Sequence, residues 1–277
     1  MSHKIDHSLH WTEHYVEHGF AVVEKAVEPQ WIELAMREVA RLLNTDLPPH
    51  AWSVDTISVL RNHILRLHFD AQHMSVLPGA FDQPGVRAVF DTMFGARNKQ
   101  SDDRVFRLFV TTFNADAKPR PVAHLDFVSC PIPVLGSGFV FQLSLVDSEA
   151  NGGNMLVYPG THKRVLKALI ENPELRYPRD LQPLLDVEPY EFVARAGDML
   201  LVHHLVGHSS SFNRAAHHAP RVVIHGQAAR DEWLTEIDAA MPGLSPWERS
   251  LAVAGSYRDA RNEKQIMLDY WQQRKAA

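Results

Sequence analysis

The chain has 277 residues, of which 45% are hydrophobic, and a formal net charge of −5, a composition that can form a sizeable core in one globular domain. The net acidity argues against nucleic acid or an anionic membrane as a partner, and no apolar run is long enough to span a bilayer. Residues 1–7 lack the apolar segment of a secretory signal, so the expected location is cytoplasmic. The single cysteine, Cys130, excludes an intramolecular disulfide and a cysteine-based zinc cluster, so a metal site would need nitrogen and oxygen ligands.

The first hundred residues predict a mainly helical support. Apolar residues at helical spacing, a proline at position 29 and glycines at positions 19 and 95 predict helices over 10–19, 29–44 and 82–95. The compact run Phe20–Val23 predicts a strand between the first two helices.

After Gly95 the apolar pattern changes from helical to alternating. The strand-like segments are 104–113, 121–128, 139–146, 155–158, 190–193, 199–203 and 221–225. Successive strands joined by turns predict antiparallel sheets, and helices at both ends favour a jelly roll (double-stranded β-helix) flanked by helices. We therefore predict one domain with a helical part (1–100), a jelly-roll core (101–230) and C-terminal helices (231–277), including one over 260–275.

Two further segments are predicted between the strands. The proline-rich, charged interval 173–189 predicts an irregular surface insertion, which is a common place for a lid over a site. The short helix expected after Lys163 ends at about residue 171.

The segment 121–128 carries a histidine and a carboxylate two positions apart, His124 and Asp126. Side chains at i and i+2 of a strand lie on the same face, so both can bind one ion. Two histidines and one carboxylate with open positions are typical of non-haem iron(II) oxygenases, which would require a second histidine, and His208 is the candidate. Chance remains the alternative, since the chain has 17 histidines and a second triplet occurs at His68-Phe69-Asp70, which no downstream pattern completes.

Three blocks in this order resemble the phytanoyl-CoA dioxygenase family of iron(II)- and 2-oxoglutarate-dependent oxygenases. They are His124-x-Asp126, the stretch 151–163 (NGGNMLVYPGTHK) and the stretch 197–213 (GDMLLVHHLVGHSSSFN). The resemblance extends over most of the chain up to about residue 230, and the C-terminal helices lie outside it.

The resemblance implies the metal ligands and one cosubstrate contact. It implies His124, Asp126 and His208 as the ligands, with His203 and His204 as rivals of His208 by proximity. It also implies an arginine on the following strand, Arg221, that binds the distal carboxylate of 2-oxoglutarate, because a guanidinium is permanently charged and can bind a carboxylate through two hydrogen bonds. The nearer Arg214 lies in a polar turn, where it is expected to be solvated.

Three weaker candidates follow from the same resemblance. Ser210, two residues after the distal ligand, is expected to bond the same carboxylate. Thr161 and Gln142 are candidates for lining the cosubstrate pocket, although each could equally be a satisfied polar group between strands.

By this resemblance the chain is an enzyme with iron(II) as cofactor and 2-oxoglutarate as cosubstrate. It would use dioxygen to hydroxylate a small molecule and release succinate and carbon dioxide, with desaturation or epoxidation as other outcomes. Asp126 supplies the oxygen ligand that halogenating relatives lack. An anionic substrate (carboxylate, phosphonate or acyl thioester) would suit Arg104, Arg107, Lys118 and Arg120, which could also be solvated charges.

Two hypotheses from other classes remain open at this point. One is a metal-binding jelly roll without oxygenase activity, and the other is a zinc enzyme with the same ligands. The sequence gives no indication of the oligomeric state.

Overall fold

A computed structural model describes residues 10–57, 64–68, 74–95, 105–116, 122–126, 138–172, 174–217, 219–229, 236–253, 255 and 257–258. The helices are α1 (Trp11–His18), α2 (Pro29–Leu42), α3 (Pro84–Phe94), α4 (Thr161–Glu171) and α5 (Pro246–Ala252). The strands are β1 (Phe20–Val23), β2 (Ile64–His68), β3 (Val105–Thr111), β4 (Gly138–Ser144), β5 (Met155–Val157), β6 (Tyr190–Glu191), β7 (Met199–His203), β8 (His208–Ser210), β9 (Arg221–Ala229), β10 (Glu236–Ile237) and β11 (Tyr257–Arg258).

The strands form two facing antiparallel sheets and a separate small ribbon. The large sheet has the order β1-β7-β4-β9-β3-β2, and the small sheet has the order β6-β5-β8. A bridge between His124 and His208 adds the segment 122–126 to the small sheet beside β8. Neighbours within each sheet are mostly distant in the chain, as a jelly roll requires, and the predicted fold class is confirmed.

The two faces of the large sheet have different environments because side chains alternate along each strand. Phe139 and Phe141 of β4 point to the outer face, where they pack against aromatic rings of α3 and the turn before it, Phe81, Phe90 and Phe94. Val140 of β4 points to the inner face and packs with the small-sheet residues Met155 and Val157. Polar side chains on the inner face therefore point into the space between the sheets.

The N-terminal helices and strand form as predicted, and each boundary has a local cause. α1 is followed by Gly19, which caps the helix with a positive φ of 77°. A side chain there would meet Nδ1 of His162 at 2.4 Å, so the position requires glycine for space as well as for conformation. α2 and α3 both begin at a proline in the first turn.

Two sequence predictions need correction, and one strand was not predicted. The segment containing His68 forms that strand, β2, which pairs with β3 at the edge of the large sheet. The region after residue 231 is not helical throughout, since β10 and β11 pair with each other on either side of α5. The interval 173–189 does more than cover the surface, because Leu181 and Leu185 are completely buried.

Other predictions fall on residues that the structure does not describe. Cys130, the basic residues Arg104, Lys118 and Arg120, and the predicted helix over 260–275 lie outside the described ranges. Among the helices that are described, none is both long enough and apolar enough to cross a membrane.

Candidate metal centre

His124, Asp126 and His208 come together between the sheets. One ligand atom from each lies within 4.8 Å of the other two, and this is the one such group of three or more metal-binding side chains among the described residues. Nε2 of His208 lies 3.2 Å from Oδ1 of Asp126, and Nε2 of His124 lies 3.9 Å from the same oxygen. Oδ1 is therefore the carboxylate oxygen that faces both imidazoles.

Backbone pairing sets the spacing of the two histidines. The amide of His124 donates to the carbonyl of His208, and the amide of His208 donates to the carbonyl of His124, both at 2.9 Å. Residues paired in this way lie directly opposite each other on the same face. The two rings consequently lie side by side, with their centroids 4.6 Å apart.

The tautomer of His208 follows from one contact. Its Nδ1 lies 3.2 Å from the carbonyl oxygen of Val206, which can only accept, so Nδ1 donates. In the neutral ring, Nε2 then carries the lone pair, and it points towards Asp126. Burial lowers the pKa of His208, but the charge of Asp126 and the hydrogen bond to it outweigh burial, so the pKa is raised.

The carboxylate of Asp126 is held from two sides. Burial raises its pKa, but His208, His225 and a hydrogen bond from Gln227 lower it further, so the pKa is well below its usual range. Nε2 of Gln227 donates to Oδ2 of Asp126 at 3.0 Å, which leaves Oδ1 facing the histidines. The carboxylate is thus ionised and oriented for a cation.

Side chains of the interval 174–187 contact the backbone next to the candidate ligands. The carbonyl of Ala123 accepts hydrogen bonds from Nε2 of Gln182 at 3.0 Å and from the hydroxyl of Tyr177 at 3.4 Å. The side chain of Leu185 packs against Gly207, so closely that a Cβ there would lie 3.1 Å from it. This interval therefore contacts the residue preceding each histidine ligand.

The rivals of His208 point elsewhere. His203 ends β7 on the same face as Met199 and Leu201, which is the outer face. Its ring lies 6.1 Å from that of Tyr15 and 4.4 Å from the ring of His204, which stacks on it. Neither His203 nor His204 belongs to the cluster of three.

Arg221 begins β9 and is 95% buried. Its guanidinium donates through Nη1 to the carbonyl of Gly153, in the turn before β5. Arg214, the alternative cation, is exposed. Of the two arginines, Arg221 is the one in the interior, and its contact with 2-oxoglutarate stays a prediction.

The remaining cosubstrate candidates have distinct surroundings. Ser210 shares the face of β8 that carries His208 and is exposed. Thr161 is completely buried, and its hydroxyl donates to the carbonyl of Tyr158 at 2.8 Å and accepts from the amide of Gly207 at 2.9 Å. These bonds agree with the alternative interpretation of Thr161 as a satisfied polar group, and its place in the cosubstrate pocket stays a prediction. Gln142 is buried on the inner face with its Nε2 lacking a hydrogen-bond partner among the described residues, which leaves that donor available.

Two residues at this centre were not predicted from the sequence, His225 and Gln227. Both lie on the face of β9 that carries Arg221, because they follow it by four and six positions. The alternation Arg-x-Val-x-His-x-Gln was the available signal. It becomes informative only once β9 is known to run beside Asp126.

A family model described as phytanoyl-CoA dioxygenase (PhyH) matches residues 15–223. The chain belongs to the phytanoyl-CoA dioxygenase family. The matched range contains both histidine ligands, the aspartate and Arg221. A search of curated proteins finds no match.

Solved structures share the fold of this family member at low sequence identity. The epimerase SnoN from nogalamycin biosynthesis, in complex with Fe3+ and alpha ketoglutarate, has a TM-score of 0.55 at 18% identity, covering 79% of this chain and 82% of that one. The alpha-ketoglutarate-dependent carbocyclase SnoK has a TM-score of 0.56 at 14% identity, with coverages of 80% and 84%. EvdO2 from Micromonospora carbonacea var. aurantiaca, complexed with 2-oxoglutarate, has a TM-score of 0.52 at 14% identity, with coverages of 89% and 98%.

The three candidate ligands of this chain fit iron(II). Two neutral imidazoles and one carboxylate are the ligands of the facial triad of non-haem iron(II) oxygenases, and no cysteine lies among them. The buried arginine at the start of β9 adds a cation of the type that binds a carboxylate inside a protein.

Proposed function

We propose that the protein is an iron(II)- and 2-oxoglutarate-dependent dioxygenase that hydroxylates an unactivated C–H bond of a small molecule and releases succinate and carbon dioxide. The observation that carries the proposal is the convergence of His124, Asp126 and His208 in a member of the phytanoyl-CoA dioxygenase family. Bound iron would supply the activation of dioxygen, coupled to decarboxylation of the cosubstrate.

The residues of this chain would bind, orient and shield the reactants. His124, Asp126 and His208 would hold the metal on one side, which leaves its other positions for the cosubstrate and dioxygen. Arg221 would bind the distal carboxylate of 2-oxoglutarate from the interior, assisted by Ser210 on β8. Gln142 would line the same pocket from the inner face of β4.

The substrate is proposed to be a small molecule with a negative charge, such as a carboxylate, a phosphonate or an acyl thioester. Hydroxylation is the default outcome. Two structural neighbours are described as an epimerase and a carbocyclase, so other oxidations at carbon, including desaturation and epoxidation, are the alternative outcome for the same site. A metal-binding jelly roll without oxygenase activity is the alternative from another class.

An anaerobic titration with iron(II) and 2-oxoglutarate tests the proposal. We expect a visible charge-transfer band from the metal chelate, absent in His208→Ala and retained in His204→Ala. Thermal unfolding of both variants shows whether each is folded. On admission of oxygen, the wild type should form succinate.

The outcomes separate the hypotheses. Metal binding without a band would indicate a different metalloprotein or a binding domain. A band lost in His204→Ala but kept in His208→Ala would show that His204, and not His208, is the distal ligand.

A further inference from the structure

A row of three polar side chains crosses the inner face of the large sheet. In the strand register, Arg107 of β3 lies opposite His225 of β9, and Gln142 of β4 lies opposite His225 on the other side. Residues directly opposite in neighbouring strands project from the same face of a sheet. The three side chains therefore form one continuous row over three neighbouring strands.

The row faces the space between the sheets. The strand neighbours Leu108, Leu143 and Ile224 are buried in the outer core beneath the helices, so the alternation places Arg107, Gln142 and His225 on the other face. Phe109 lies two positions after Arg107 on the same face. Its ring meets the ring of His225 edge-on, with the two centroids 5.4 Å apart.

The row lies beside the metal centre. Gln227, two residues after His225 on the same face of β9, donates to Asp126. Burial lowers the pKa of His225 to about 4, and Asp126, His208, Arg221 and Arg107 all lie close enough to act on that pKa electrostatically. Arg107 is thus in the electrostatic neighbourhood of the metal ligands.

Arg107 has no counter-charge in the part of the chain that is described. It takes part in none of the ion pairs formed there. Its Nε is buried and has no hydrogen-bond partner among these residues. The side chain as a whole is half-buried, so its guanidinium has lost part of its hydration, and an anion bound beside it would compensate that cost.

The cosubstrate does not account for this cation. Arg221, at the start of β9, is the arginine expected to bind the distal carboxylate of 2-oxoglutarate. His225 lies four positions after it on β9, roughly 13 Å along an extended strand. Arg107 lies at the His225 end, so the site contains two separate cationic positions.

We propose that Arg107 binds an oxyanion of the substrate, a carboxylate or a phosphonate, inside the barrel and close to the iron. This inference rests on the proposed oxygenase function and narrows its substrate class. The guanidinium would bind two oxygens of the anion and so fix which C–H bond faces the metal.

The position of Arg107 discriminates between the three classes of anionic substrate. A free carboxylate or a phosphonate carries its charge on the molecule that enters the site. An acyl thioester of coenzyme A is uncharged at the thioester, and its phosphates lie at the far end of a long pantetheine arm. A half-buried arginine on the inner face of the sheet therefore favours the free acid over its thioester.

The test uses the full chain, anaerobic, with iron(II) and saturating 2-oxoglutarate. The probes are butanoate, octanoate, butylphosphonate and octylphosphonate, each compared with the amide and the coenzyme A thioester of the same acyl length. Binding is followed by the shift of the visible charge-transfer band and by the rise in the thermal unfolding midpoint. The variants are Arg107→Met and, as a matched control, Arg87→Met, since Arg87 lies on the exposed face of α3 and pairs with Asp82.

We expect saturable binding of an oxyanion to the wild type and to Arg87→Met, with the amides and thioesters at least tenfold weaker. Arg107→Met should lose about 30-fold or more of the affinity for the oxyanion, with little change for the amide. The carboxylate and phosphonate series show which oxyanion the site prefers.

Three results would overturn the inference. They are equal binding of acid and amide to the wild type, tighter binding of the thioester, and a loss in Arg107→Met that falls on 2-oxoglutarate instead of on the probes. If the wild type gives no charge-transfer band, the proposed oxygenase function has failed, and the unfolding midpoint of the metal-free protein then tests oxyanion binding by Arg107 on its own.

Discussion

The hydrogen bond from Gln227 to Asp126 should be measurable as iron affinity. Gln227 donates to Oδ2 at 3.0 Å, and the other oxygen, Oδ1, faces both histidines. Replacement of Gln227 by methionine keeps much of the side-chain volume but removes the donor. The carboxylate is then free to rotate away from the orientation that binds the metal.

The size of the effect follows from the geometry. A hydrogen bond to a charged group contributes about 1.5 to 3 kcal/mol, and the exposure of Gln227 places this bond near the lower value. About 1.4 kcal/mol corresponds to a tenfold change in the dissociation constant. We therefore expect Gln227→Met to bind iron(II) about tenfold more weakly, within the range typical of residues that orient a metal ligand.

The assay is an anaerobic competition for iron(II) against a chromophoric chelator at pH 7. Gln83→Met is the matched control, because the side-chain amide of Gln83, the residue just before α3, donates to the carbonyl of Gly79 away from the metal centre. The reasoning fails if Gln227→Met binds iron as tightly as the wild type while both proteins unfold at the same temperature. Asp126 would then be oriented by the backbone alone.

Two further predictions concern the cosubstrate and acid stability. Arg221→Met should raise the 2-oxoglutarate requirement at least 30-fold, since a buried charged anchor contributes roughly 2 to 5 kcal/mol, and an unchanged requirement would assign the anchor to another residue. Acid should destabilise the protein through His162 and His203, because burial lowers the pKa of His162 to about 3 and that of His203 well below its usual value. Below pH 6.5 the unfolded chain binds protons at these positions and the folded chain does not, so His162 should cost about 2 kcal/mol of stability at pH 5, and His203 should act in the same direction. His162→Gln should therefore reduce the difference in urea unfolding between pH 7 and pH 5. An equally steep pH dependence in this variant would contradict the assigned cause.

The sequence was sufficient where the signal is local. Proline and glycine at helix ends, the apolar runs of β4 and β7, and the His-x-Asp spacing each depend on a few neighbouring residues. The three ligands could be named because their order matched a known family. Their convergence is a property of the fold, and the structure supplies it.

The sequence was insufficient where long-range pairing decides. β2 has no clean alternation of its own, and it forms a strand through its pairing with β3. Gln227 and His225 appear as ordinary polar residues of a strand until the register places β9 beside Asp126. Arg107 was one of four basic candidates in the sequence, and its position opposite His225 follows only from the strand register.

The reciprocal backbone bonds between His124 and His208 make the spacing of these two ligands a property of strand register. Substitutions of neighbouring side chains leave that register in place. An insertion or deletion of one residue within either segment would turn the ligand to the opposite face, because side chains alternate along an extended chain. The metal centre should therefore tolerate many nearby substitutions but no single-residue change in the length of 122–126 or 207–210.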